Sequence, residues 1–218
     1  MRNIPKAYTL LALALVVTGE AEAQATATPT GTPSLICCSA ANPWVPPVPT
    51  VSSGVAVDRA RQRVYMTDRG GNNMTGDGWV KALNYDGSLV TSFGAGGSSP
   101  VSGAFQVAVG NGSYDGVYVL QRDNGAGVTK LDSNGNLVWS RSPAIVGSWR
   151  DVCVDEWGNV YAVTDSAGII VWDNNGNQKS PLFPGGLGIP SGICAVGLDL
   201  YVTDTTNYRI VKFTQSGV

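Results

Sequence analysis

The sequence predicts an all-β protein in which one arrangement of strands recurs four times. Each copy contains a short apolar strand, a second strand with a tyrosine, a third strand and a turn that ends in glycine. The markers are the tyrosines Tyr65, Tyr118, Tyr161 and Tyr201 and the glycines Gly87, Gly135, Gly176 and Gly217. The glycines lie 48, 41 and 41 residues apart. Because a repeat of about 40–45 residues built from short strands is typical of β-propeller blades, we predict a β-propeller.

Four predicted blades cover the chain from residue 51 to residue 218. They span about residues 52–97, 101–141, 149–187 and 190–218. Their strands are four to six residues long, rich in β-branched and aromatic side chains, and bounded by Gly, Asn and Asp. In blade one we expect the outer strand at residues 89–94. No apolar period of 3.6 residues occurs after residue 25, so we expect essentially no helix in that part of the chain.

Residues 1–25 have the pattern of a secretory signal peptide. Arg2 and Lys6 precede an apolar run at residues 10–17, and Ala23 and Ala25 fit a cleavage site. We predict cleavage after Ala25, with cleavage after Ala23 as the alternative. The apolar run is shorter than the roughly 20 residues that span a bilayer. The protein is therefore expected to be secreted or periplasmic, without stable membrane insertion.

Residues 26–50 are predicted to form a Thr/Pro-rich spacer and an N-terminal segment. The run TATPTGTP at residues 26–33 has too little apolar surface to fold alone. The globular domain is expected over residues 51–218.

The charge pattern argues against nucleic acid as a partner. The net charge is −2, and the nearest approach to a basic cluster is Arg59, Arg61 and Arg63 in one hairpin. Nucleic-acid binding requires a broad basic face.

Four cysteines occur in a chain predicted to be exported: Cys37, Cys38, Cys153 and Cys194. Disulfides are permitted there, but four cysteines allow three pairings. Cys153 and Cys194 both align with Ala56, so we expect two buried, inert thiols at equivalent blade positions. Cys37 and Cys38 lie before the repeats, where they could hold down the N-terminal segment or pair between chains.

The sequence contains no histidine, and Glu156 is its only glutamate after residue 25. This composition excludes Ser-His-Asp and Cys-His catalysis and any zinc site with histidine ligands. The segments Asp132–Asn136 and Asp173–Asn177 lack the closing glutamate of an EF-hand loop, so we interpret them as hairpin turns. We predict no catalytic residue, no cofactor and no metal site.

The candidate ligand-binding residues follow or precede strands at one level of the predicted ring. Asp68, Asp165 and Asp204 close the second strands of three blades. They either line one face near the central channel or fix the loops that follow them. Trp149 and Arg150 precede the innermost strand of blade three. They are candidate contacts on the ligand-binding face, with packing between blades as the alternative for Trp149.

The sequence from Pro190 to Ile210 resembles an NHL repeat. The resemblance rests on Pro190-Ser191-Gly192-Ile193 and on the run LYVTDTTNYRI at residues 200–210. Blade one fits nearly as well, blade three lacks the Asn-x-Arg-Ile ending, and blade two diverges at Gly110 and at residues 120–122. The resemblance covers about residues 52–218 and implies an NHL-type β-propeller of four-stranded blades.

The NHL resemblance favours a binding or interaction module whose partner is an unidentified protein or carbohydrate. Loops at one end of the ring would make the contacts. Among similar propellers, the amidating and streptogramin lyases depend on histidine, and gluconolactonase-like enzymes use Glu, Asn and Asp around a metal. A metal-dependent hydrolase or lyase with channel-facing Asp and Asn is therefore one alternative. A structural cell-surface repeat protein is another.

Blade four is predicted to lack its outer strand, so we expect an incomplete ring. NHL-like propellers commonly have six blades, and an open ring exposes apolar blade faces. Three explanations are open: the sequence is a fragment of a longer propeller, residues 34–39 supply the missing strand, or two copies associate. We favour the fragment.

Overall fold

The four predicted blades are four antiparallel sheets of three or four strands, so the predicted all-β fold is confirmed. The computed structural model describes residues 52–69, 78–122, 127–143, 148–165, 168–182 and 187–215. Within these ranges the helical content is one 3-10 turn, Gly112–Tyr114. None of their elements is a helix long and apolar enough to cross a membrane. The predicted signal peptide, the spacer, Cys37 and Cys38 lie outside the described residues.

Strands that follow each other in the chain pair with each other. Sheet one contains β1 (Ser52–Asp58), β2 (Arg63–Asp68), β3 (Trp79–Asn84) and β4 (Ser98–Pro100). Sheet two contains β5 (Ala104–Gly110), β6 (Gly116–Gln121), β7 (Gly127–Leu131) and β8 (Leu137–Arg141). Sheet three contains β9 (Trp149–Val154), β10 (Val160–Thr164) and β11 (Gly168–Trp172). Sheet four contains β12 (Pro190–Val196), β13 (Asp199–Asp204) and β14 (Arg209–Thr214).

The outer strand of sheet one lies later in the chain than expected. Residues 89–94 do not form it: Leu89 makes a single bridge to Leu83, and Phe93 is fully buried in the core. Gly94, Gly96 and Gly97 all have positive φ, which turns the chain before β4 begins. The expected last strand of sheet three is reduced to isolated bridges at Gln178 and Leu182.

The same register recurs in every sheet. On the first two strands Ala56 pairs with Tyr65, Ala108 with Tyr118, Cys153 with Tyr161, and Cys194 with Tyr201. Side chains on a strand alternate between its two faces. The position of a residue relative to the tyrosine of its sheet therefore fixes the face on which it lies.

Successive sheets pack face to face through three apolar cores. Tyr65 and Val80 of sheet one pack with Val107 and Val119 of sheet two. The second core joins sheets two and three and contains Tyr118, Leu120, Val128, Val152 and Ala162. The third core joins sheets three and four and contains Tyr161, Val163, Ile169, Ile193, Leu200 and Val202. Sheets two and three are therefore covered on both faces, which explains their near-continuous apolar strands.

The predicted burial of both blade cysteines is right for Cys153 and wrong for Cys194. Both thiols are free; Cys153 is 9% exposed, whereas Cys194 is an exposed residue. The face of sheet three that carries Cys153 is covered by sheet four. The face of sheet four that carries Cys194 is not covered by any described sheet.

Candidate functional site

The candidate residues lie at the same end of their sheets. The first residue of each inner strand pairs with the last residue of the second strand, as Ser52 does with Asp68 and Pro190 with Asp204. We call this end the loop end. It comprises Asp68, Arg69, Ser102–Phe105, Gln121, Arg122, Ser148–Arg150, Thr164, Asp165, Gly188–Pro190 and Asp204–Arg209. The five candidate residues Asp68, Trp149, Arg150, Asp165 and Asp204 therefore all lie at this end.

Asp204 fixes the loop that follows it. Its carboxylate is buried and accepts hydrogen bonds from Asn207 Nδ2 at 2.8 Å, Arg209 Nε at 3.0 Å and the Gly188 N–H at 3.0 Å. The bond from Asn207, with those from Arg209 and Gly188, lowers the pKa of Asp204. The carboxylate therefore binds the protein's own loop, including an ion pair with Arg209.

Asp165 also fixes a connection, but from a different register position. The residue equivalent to Asp68 and Asp204 is Thr164, the last residue of β10, and Asp165 follows it. Asp165 accepts the Ser148 N–H at 2.7 Å and Arg150 Nη2 at 2.9 Å. The Ser148 N–H, followed by the bond from Arg150, holds the pKa of Asp165 below its usual value.

Asp68 is buried, and Lys81 donates to its Oδ2 at 3.4 Å. The three aspartates thus each bind groups within their own sheet or its flanking connection. Among the described residues, no group of three or more His, Cys, Asp or Glu side chains could hold a metal ion.

Trp149 and Arg150 have different environments although they are neighbours in β9. Trp149 is 1% exposed and stacks on Trp172, with ring centroids 6.0 Å apart. The packing alternative therefore describes Trp149. Arg150 is partly exposed, and its Nε is buried without a hydrogen-bond partner. Of the two residues, Arg150 is the one that solvent can reach.

A cluster of two arginines around Phe105 was not predicted from the sequence. The guanidinium carbons of Arg69 and Arg122 lie 5.7 and 4.9 Å from the centroid of the Phe105 ring. Both distances fall within cation–π range. The only sequence signal was the divergence of blade two at residues 120–122. We call Arg69, Phe105 and Arg122 the arginine–Phe105 cluster.

A cleft of about 420 Å³ between sheets one and two was also missed. It is lined by Ser99, Pro100, Val101, Ser102, Gln121, Thr129, Leu131, Gly135, Leu137 and Ser140. Gln121 Nε2 donates to the Ser102 carbonyl at 2.9 Å, and Thr129 Oγ1 donates to Gln121 Oε1 at 2.6 Å. The volume is within the range of small-ligand sites, and the lining carries no charge.

Sequence and structure comparisons agree on the class of protein. Residues 187–213 match the NHL repeat model, and no curated protein matches the chain. A streptogramin B lyase structure is 13% identical with a TM-score of 0.57; the match covers 77% of this chain and 52% of that one. BamB from Moraxella catarrhalis is 10% identical with a TM-score of 0.56, covering 74% and 42%. The computationally designed Ika4 protein is 10% identical with a TM-score of 0.52, covering 76% and 91%.

These similarities define the fold. The chain spans about half the length of the streptogramin B lyase structure. Identities this low show a shared fold and carry no activity across. The protein has a β-propeller fold. Its fourth sheet matches an NHL repeat, and the predicted β-propeller fold is confirmed.

Proposed function

We propose that this protein is a secreted binding module that holds an acidic group of a protein or carbohydrate at the loop end. The observation that carries the proposal is the arginine–Phe105 cluster. Both guanidinium groups lie within 6 Å of one ring, and this concentration of positive charge favours an anionic group of a ligand beside it. The pattern of residues 1–25 supports export.

Arg150 extends this positive region toward sheet three. It lies on β9, and the innermost strands β5 and β9 contact each other. Its Nη2 donates to Asp165 at 2.9 Å, which fixes the orientation of the guanidinium plane. A guanidinium presents several donors in a fixed plane that matches a carboxylate, sulfate or phosphate. The protein as a whole carries a net charge of −2, so the attraction is local to this site.

The aspartates of the loop end support binding by fixing the scaffold. Asp165 joins Arg150 to Ser148, and Asp204 holds the turn from Thr205 to Arg209. Residues that are already held in place lose less conformational entropy when a ligand binds. In the proposed function these carboxylates therefore hold the loops in place and need not contact the ligand.

The test compares Arg122→Ala with Arg59→Ala. Both remove one positive charge, but Arg59 is exposed in the turn between β1 and β2, at the opposite end of sheet one. The probes are polyglutamate, polygalacturonate and neutral dextran, measured by titration calorimetry at low and high salt. We expect salt-sensitive binding of an acidic probe, weakened about tenfold or more by Arg122→Ala and unchanged by Arg59→Ala.

The two acidic probes distinguish the ligand classes, because one is a peptide and the other a polysaccharide. Arg122→Lys is expected to restore part of the affinity, since it returns the charge without the planar fork. Equal losses for Arg122→Ala and Arg59→Ala would contradict the proposal, as would preferential binding of dextran. Unfolding curves for each variant show whether the fold is intact.

A further inference from the structure

Two outward faces of the sheet stack are not covered by any described sheet. The first face is the outer side of sheet one, comprising Val55, Val57, Val64 and Met66. The last face is the outer side of sheet four, comprising Cys194, Val196, Tyr201, Thr203, Ile210 and Lys212. Val55 is 67% exposed and Ile210 is 70% exposed. Exposed apolar surface of this kind marks interaction sites.

The residues of the first face have equivalents in the other three sheets, where they are buried against the preceding sheet. Aligned on the sheet tyrosines, Val55 corresponds to Val107, Val152 and Ile193. Those three residues are 7%, 5% and 7% exposed. The chemistry of this position is therefore the same in all four sheets, and only the first lacks a preceding sheet among the described residues.

The residues of the last face also have equivalents in the other three sheets, where they are buried against the following sheet. Tyr201 corresponds to Tyr65, Tyr118 and Tyr161, which are 1%, 0% and 2% exposed. Ile210 corresponds to Ile169, which is fully buried. The two uncovered faces are thus the two halves of the interface that the molecule already forms three times.

Polar groups on the last face are positioned as in a completed interface. In sheet one, Ser53 Oγ and Thr67 Oγ1 donate to the Phe105 carbonyl of sheet two at 2.6 and 2.8 Å. Ser191 and Thr203 are their equivalents in sheet four. Thr203 Oγ1 contacts its own Gly192 carbonyl at 3.4 Å, as Thr67 Oγ1 contacts Gly54 at 3.4 Å.

The same correspondence identifies the carbonyl that a following sheet would present to these hydroxyl groups. Ser191 and Thr203 are exposed, and their hydroxyl oxygens lie 2.9 Å apart. Phe105 precedes the residue that aligns with Gly54, so its equivalent in sheet one is Ser53. The carbonyl of Ser53 is therefore the group that a following sheet one would present to Ser191 and Thr203.

Turns between strands provide a second correspondence between the internal interfaces and the two uncovered faces. Asn174 of sheet three docks on sheet two, where Tyr118 Oη and Trp139 Nε1 donate to it at 2.9 Å and Lys130 also contacts it. Lys130 lies 5.1 Å from the Tyr118 ring centroid, and Lys212 lies 5.7 Å from that of Tyr201. The turn residue of sheet one equivalent to Asn174 is Tyr85, which is 49% exposed.

We propose that the last face of one copy of this protein packs on the first face of a second copy. The new interface repeats the internal one, with Tyr85 and the Ser53 carbonyl of one copy against Lys212, Ser191 and Thr203 of the other. Such an interface is heterologous, because two different patches meet. The four described sheets of each copy give eight in two copies, which is within the range of closed propellers.

The test uses one aspartate substitution on each face and one matched control. Val55→Asp changes the first face and Ile210→Asp the last face. Val138→Asp is the control, because Val138 is 52% exposed on β8 and lies on neither face. We expect the full chain to sediment as a dimer. A buried unpaired charge should weaken dimerisation about 100-fold or more in either face variant, and the control should leave it unchanged.

Mixing the two face variants tests the geometry. The last face of Val55→Asp and the first face of Ile210→Asp are both intact, so an equimolar mixture should form a mixed dimer through one interface. A dimer of two last faces would be disrupted by Ile210→Asp alone and would not be rescued by mixing. That result would overturn the proposal. A monomeric wild-type protein at about 100 µM would also overturn it and would favour coverage by other residues of the chain.

Discussion

Sheets three and four place the same residue types on the same face, but only sheet three is covered there. Cys153 and Cys194 are equivalent, and so are Ile169 and Ile210. Cys153 is 9% exposed and Ile169 is fully buried, whereas Cys194 is exposed and Ile210 is 70% exposed. The sequence pattern determines the face on which a side chain lies, and the neighbouring sheet determines whether that side chain is buried.

The largest expected difference is in thiol reactivity. Burial raises the pKa of both thiols, that of Cys153 well above its ordinary value. Cys153 becomes reachable only when sheets three and four separate. We expect Cys194 to react with iodoacetamide about 1000-fold faster or more, because opening a buried core costs a large part of the folding free energy. Peptide mapping by mass spectrometry over a time course measures both rates.

Labelling should be done on dilute protein, so that a second copy does not cover Cys194. A Cys194→Ala variant is the control for assignment of the modified peptides. Similar rates at the two cysteines would contradict the burial difference between the two faces.

The next difference concerns stability. Ile169→Ala removes a buried side chain from the core between sheets three and four, and should cost about 2–5 kcal/mol of unfolding free energy. Ile210→Ala removes the equivalent side chain from an uncovered face. It should change stability by no more than about 0.5 kcal/mol.

Urea unfolding of both variants at low protein concentration measures this pair. The substitution is the same in each, so the comparison isolates the effect of the covering sheet. If Ile210→Ala costs as much as Ile169→Ala at this concentration, another part of the chain must cover the last face.

Much of the fold was predictable because its signals are local. The tyrosine register and the Asx-Gly turns recur within each sheet, and each depends on residues close together in sequence. In the turns, Asp132 Oδ1 accepts the N–H groups of Asn134 and Asn136 at 2.8 Å, which is the hairpin geometry predicted. The outer strand of sheet one was misplaced because the apolar run at residues 89–94 resembles a strand, whereas three glycines with positive φ turn the chain there and β4 forms after them.

The site was less predictable because it depends on contacts between sheets. Arg69, Phe105 and Arg122 are separated along the chain and meet only when sheets one and two stack. Trp149 begins a strand, but its position alone did not reveal that it stacks on Trp172. The burial of Cys153 and the exposure of Cys194 likewise depend on a neighbour that a single repeat does not specify.

The smallest expected effect compares Asp151, in the covered interface between sheets three and four, with Asp165 at the loop end. Asp151 Oδ2 accepts the Ile193 N–H of sheet four at 2.9 Å, and burial raises the pKa of Asp151. The Ser148 N–H, with Arg150, lowers the pKa of Asp165. An aspartate in the unfolded chain has a pKa of about 3.9. The stabilisation from Asp165 is therefore present above about pH 4 and is lost as the pH falls through its lower folded value.

The stabilisation from Asp151 has the opposite pH dependence. It is fully present below about pH 3.9 and is lost as the pH rises through the higher pKa that Asp151 has in the folded protein. The stability of wild type relative to Asp165→Asn should thus increase from pH 3 to pH 6, by no more than about 1 kcal/mol because Asp165 is partly exposed. Relative to Asp151→Asn it should decrease over the same range. Urea unfolding of the three proteins across this range measures both slopes. Slopes of the same sign would show that the covered interface and the loop end do not differ electrostatically in this way.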